Sequence, residues 1–127
     1  MNTAEAMDQM FWRIPSHNLC ALVDIVNMIS PANVANQKNI VDDVFRLYKD
    51  RINVFHLKDF KIAGDDKESD IIGQGELELE YLLNKIKKEK PYADIILEEA
   101  GKGPGSKGAG AEAAGAVEKN CVLSTGL

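Results

Sequence analysis

Apolar positions along the chain switch between helical and strand spacing several times before residue 100. Met7, Met10, Phe11 and Ile14 recur every three or four residues behind Thr3, a side chain suited to capping a helix, and Pro15 stops the run. Residues 19–26 are short and almost wholly apolar apart from Asp24, which predicts a strand covered on both faces. A second helix is predicted over 36–49, with Ile40, Val44, Leu47 and Tyr48 on one stripe, and a second apolar strand over 51–57 is interrupted by His56. A polar loop through Gly64-Asp65-Asp66 and Gly73-Gln74-Gly75 leads to a third helix over 77–88, whose stripe is Leu79, Leu82, Leu83 and Ile86. Pro91 ends that helix, and residues 94–97 read as a third strand closed by Glu98-Glu99. Such alternation predicts an α/β fold built from parallel βα units rather than a bundle or a sandwich.

Composition divides the chain in two. The first unit, residues 1–100, carries the periodic pattern, whereas residues 101–127 hold 7 of the 10 glycines, five alanines and almost no large apolar side chain before Val122. Such a tail cannot bury enough surface to offset its ordering entropy, so a flexible, low-complexity extension is expected. Its glycines do not make a phosphate cradle, because Ser106-Lys107 stands in the wrong order and no strand leads into it. A formal charge of -5 disfavours nucleic acid as a partner. No apolar run approaches the ~20 residues of a membrane helix, and the first residues lack a basic stretch followed by an apolar signal core, so no membrane partner and a cytoplasmic location are expected. Cys20, followed by Ala21-Leu22-Val23, reads as a small buried apolar residue, and neither it nor Cys121 sits in a metal or redox motif.

The chemistry lies in the polar residues that interrupt the strands. Asp24, His56 and Glu98 each fall at or near the C-terminal end of an apolar run, where a buried charge is costly unless paired or bound to a metal. Strand alternation lets all three converge: if His56 points inward, so do Val54 and Lys58, while Phe55 and Leu57 face the covering helices. One Asp, one His and one Glu make a mixed oxygen and nitrogen set suited to Mn²⁺, Mg²⁺, Co²⁺ or Zn²⁺. The acidic run Asp65, Asp66, Glu68 and Asp70 has no calcium-loop register and is expected to be solvated. Phe11 and Trp12 are expected to pack against a strand.

Four motifs carry a family resemblance. Asp24-x-x-Asn27, then Asn53-Val54-Phe55 followed by His56-Leu57-Lys58-Asp59, then Gly73-Gln74-Gly75-Glu76-Leu77, and finally Ile95-Ile96-Leu97-Glu98-Glu99 together resemble the C-terminal part of the xylose isomerase-like TIM barrels. That superfamily includes sugar-phosphate isomerases and epimerases, inositol-catabolism enzymes and apurinic endonucleases. The resemblance implies a partial TIM (β/α)8 barrel supplying the last three parallel strands with their helices, out of the eight strands and ~250 residues of a whole one. Its open edges would then be covered by self-association or by the missing N-terminal half of the barrel.

The same resemblance implies that Asp24, His56 and Glu98 are three of four ligands to a divalent metal, the fourth being a Glu absent from this chain. The implied reaction is a proton shift through an enediolate on a small sugar or sugar phosphate, with Glu98 as one base and Lys58 reaching a substrate hydroxyl or phosphate. Asn27 would also contact substrate; it stands where the family frequently has His, which makes a second metal and a phosphodiesterase activity on damaged DNA less apt. Asp59 is expected to cap a loop or orient a neighbour, and Glu99 to support Glu98. With one base missing, the chain alone is expected not to turn over substrate; a non-catalytic remnant of such a barrel is the third reading.

Overall fold

A computed structural model describes residues 3–98. The first helix, α1 (Ala4–Arg13), is capped by Thr3, whose Oγ1 accepts a hydrogen bond from the Ala6 amide at 3.1 Å. Phe11 is buried against Tyr48, whereas Trp12, one step further round the helix, is 79% exposed and packs on no strand, contrary to expectation. Three strands, β1 (Ala21–Val23), β2 (Ile52–Leu57) and β5 (Asp94–Leu97), form a parallel sheet in the order β1-β2-β5, preceded or spaced by α2 (Gln37–Tyr48) and α3 (Leu79–Glu89). The buried stripe of α2 is rotated from the expected one: Val41, Val44, Phe45 and Tyr48 are inside, while Ile40 and Leu47 are only partly covered.

A second, separate sheet overturns the partial-barrel expectation. The polar stretch expected to be a loop folds into an antiparallel hairpin of β3 (Asp59–Ala63) and β4 (Asp66–Asp70), paired from Asp59↔Asp70 to Ala63↔Asp66. The described residues therefore form a small α/β domain of a three-stranded parallel sheet plus a two-stranded antiparallel one, not the last three strands of a TIM barrel with their helices. The physical reason is local. Gly64 adopts φ +64° at the first position of the two-residue turn, the conformation that lets strands reverse tightly. The strand expected over 19–26 is also shortened, because the chain turns at Asp24 into a 3₁₀ turn over Ile25–Met28. Cys20, expected to be buried, is exposed just ahead of β1. The expected flexible tail, Cys121 and Glu99 lie outside the described residues.

The parallel sheet is packed on one face. Val23, Phe55 and Ile95 lie side by side in register on the buried face, where Phe55 stacks on Phe45 of α2 at 5.6 Å between ring centroids. The opposite face carries Leu22, Val54, His56 and Ile96; Leu22 is 44% exposed and the others are half-buried. Among the described residues no helix is long and apolar enough to cross a membrane.

Asp59 anchors the hairpin to the segment that precedes α3. Only 1% exposed, its carboxylate accepts backbone N–H bonds from Phe60, Gly73, Gly75 and Leu77 at 2.8–3.1 Å. Gly75 has to be glycine here, since a Cβ would collide with Asp59 Oδ1 and the Phe60 carbonyl. Gln37 ties the same segment to α2, donating to the Glu76 carbonyl and accepting from the Glu78 amide, each at 2.9 Å.

Candidate metal centre

Asp24 leaves β1 as the cap of the 3₁₀ turn. Its Oδ1 accepts from the Asn27 amide at 3.3 Å, which fixes the carboxylate and turns Oδ2 toward the neighbouring strand. His56 comes from the open face of β2, one residue before buried Leu57. Glu98 follows β5 and is held by its own backbone: its amide donates to the Leu57 carbonyl at 2.8 Å, which continues the β2–β5 pairing by one step. The three parallel strands thus deliver one donor each to the same end of the sheet.

The three side chains meet. His56 Nδ1 lies 3.4 Å from Asp24 Oδ2, and its Nε2 lies 3.2 Å from Glu98 Oε2. One ligand atom from each residue can be chosen so that all lie within 4.8 Å of one another. Two ligands on one ion at ~2.1 Å stand at most about 4.2 Å apart, so the side chains would have to close in on a shared ion, and His56, whose two ring nitrogens face different carboxylates, would have to turn one of them to it. Burial is graded: Asp24 is 8% exposed, whereas the Glu98 side chain is 51% exposed and faces solvent.

Asp24 Oδ2 carries the chemical question of the site. It is buried and has no hydrogen-bond partner; Lys58 Nζ makes a charge contact with it at 2.8 Å, outside the angle of a directed hydrogen bond. A buried carboxylate oxygen is costly unless a cation engages it, and here the Lys58 ammonium does so. Lys58 donates instead to Asn27 Oδ1 at 2.9 Å and lies 3.9 Å from Glu98 Oε2. Asn27 and Lys58, both expected at a substrate contact, therefore sit at the rim of the cluster and engage each other.

Sequence reasoning missed Lys67. From β4 it reaches back across the hairpin and donates to the Val26 and Ile29 carbonyls at 2.5 and 2.6 Å, clamping the turn that carries Asn27. Burial, and then the nearby Lys58 charge, hold its ammonium below the usual lysine range. Its partners lie about forty positions upstream, beyond any periodic signal. No family model, curated protein or solved structure matches this chain.

Proposed function

We propose that Asp24, His56 and Glu98 bind one divalent cation, of the Mn²⁺, Mg²⁺, Co²⁺ or Zn²⁺ class, and serve isomerase or epimerase chemistry on a small sugar or sugar phosphate. The observation that supports this reading is the convergence of Asp24, His56 and Glu98, with the buried Asp24 Oδ2 making no directed hydrogen bond and met by the Lys58 ammonium at 2.8 Å. Two carboxylates and an imidazole match the donor preference of these ions. The metal-isomerase part of the reading rests on the motif resemblance.

When bound, the ion would supply Lewis-acid polarisation of a carbonyl and its adjacent hydroxyl, the charge stabilisation that favours proton transfer through an enediolate. Asp24, buried and capping the 3₁₀ turn, would hold position and not exchange protons with substrate. Glu98 is half-exposed and can receive a carbon-bound proton. Lys58 and Asn27, a hydrogen-bonded pair at the rim, would orient a hydroxyl or phosphate. A two-base shift needs a second carboxylate opposite Glu98. Among the described residues the metal-type cluster contains Asp24, His56 and Glu98 alone, so the isolated chain is expected to bind metal and leave ketose epimers unchanged.

Calorimetric titration with MnCl₂ tests the proposal. The wild-type chain is expected to bind one Mn²⁺, and His56→Ala and Glu98→Ala are each expected to abolish binding while keeping the far-UV spectrum. Saturating metal at a hundredfold excess over Kd is expected to stabilise the wild type by about 2.7 kcal/mol. A wild-type chain that takes up no metal, or mutants that bind as well as it does, would overturn the reading.

A further inference from the structure

We propose that Lys58 is the resident counter-ion of this cluster and competes with a divalent cation for Asp24, so that metal entry requires its ammonium to leave Asp24 and rest on Asn27. The inference rests on the metal reading above and concerns the regulation of that same site. Its basis is a coincidence of position. Asp24 Oδ2, the oxygen a metal would need, is the atom Lys58 Nζ approaches at 2.8 Å. The ammonium also lies 3.9 Å from Glu98 Oε2, so one positive charge already stands between two of the three donors.

The two cations disfavour each other at that oxygen. An ion bound at ~2.1 Å from Asp24 Oδ2 would lie within about 5 Å of an ammonium left in place, and like charges at that separation in a partly buried site repel strongly. The geometry provides an exit. Asn27 Oδ1 already accepts from Lys58 at 2.9 Å, so the ammonium can give up the carboxylate without losing its directed hydrogen bond. Lys67 cannot substitute for it, because its own ammonium is tied to the Val26 and Ile29 carbonyls. Asn27 is therefore the parking position, and its side chain sets how readily the site opens to metal.

The opposite role for Lys58 would be to support Asp24 as a ligand, in the way outer hydrogen-bond partners hold metal-bound groups, and the two differ in sign. Titration of Lys58→Met with MnCl₂ is expected to show binding at least about tenfold tighter than wild type, because a competing positive charge is gone. Lys58→Arg, which keeps the charge, is expected to stay within about threefold of wild type. In chelator-treated protein, Lys58→Met is expected to melt below wild type, since Asp24 and Glu98 lose their counter-ion, and Mn²⁺ is expected to restore the loss. Lys58→Gln gives the same comparison should the methionine variant fail to fold. Unchanged or weaker Mn²⁺ binding in the charge-removing variants, with wild-type binding still abolished by His56→Ala, overturns the counter-ion role alone. Absence of Mn²⁺ binding in wild type and variants alike overturns the metal reading and this inference with it.

Discussion

At the residue scale, two buried polar groups outside the metal cluster have opposite consequences. The Asp59 carboxylate satisfies four backbone amides, and Asn in its place would turn an amide N–H toward donors already there. Asp59→Asn is therefore expected to lower unfolding free energy by about 3 kcal/mol in a urea titration. Tyr48 is the contrary case: its hydroxyl is buried with no hydrogen-bond partner, and burial, then Glu5 and Asp8, push its pKa up to about 12. Because the folded chain holds this proton more tightly than the unfolded one, the resulting stability is present below pH ~10 and is lost as pH rises toward 12. Tyr48→Phe is expected to match or exceed wild-type stability at pH 7 and to lose less between pH 10 and 12, by on the order of 1–2 kcal/mol, in paired thermal melts. Asp59 was readable as a loop cap from its place after a strand; that Tyr48 would lack a partner depends on which side chains α1 brings over it.

At the element scale, the hairpin is the part of the fold that hydrophobic periodicity conceals. Phe60 and Ile62 alternate with Asp59, Lys61 and Ala63, and Gly64-Asp65 is a turn pair, so half of a hairpin signal is present. The other half, Lys67-Glu68-Ser69-Asp70, is wholly polar, since β4 faces solvent and is held by backbone pairing and by the Lys67 clamp. Lys67→Met is expected to free the Val26 and Ile29 carbonyls, speed amide exchange in β4 and the 3₁₀ turn, and cost about 1–3 kcal/mol. Equal exchange in wild type and variant would show that backbone pairing alone holds the hairpin. By contrast, α1 with its Thr3 cap and β5 were legible to within a residue or two, because each carries its own period and stop signal.

At the scale of the whole molecule, the two faces of the parallel sheet divide stability from chemistry. Phe55 lies in the packed layer against Phe45, so Phe55→Ala is expected to cost about 3–5 kcal/mol. Leu22, in register with Val54 on the open face, is expected to tolerate Thr within about 0.5 kcal/mol, as measured by urea unfolding. A large loss at Leu22 would show that this face is packed rather than open. His56 shares this open side, which leaves the cluster reachable from solvent while its strand is anchored from behind by Phe55 and Leu57.

The amino-acid order by itself determined the alternation of apolar helices and strands, the parity that sets Phe55 and Leu57 toward the covering helices and opposite His56, and the choice of Asp24, His56 and Glu98 as candidates, because each is written in the spacing of neighbouring residues. Tertiary structure decided what spacing cannot encode: the uncovered face, the 3.2 and 3.4 Å approaches about His56, and the placing of Lys58 against Asp24. Those depend on segments about 30 to 40 residues apart meeting in space, and such meetings are set by packing and pairing across the sheet rather than by any local preference of the chain.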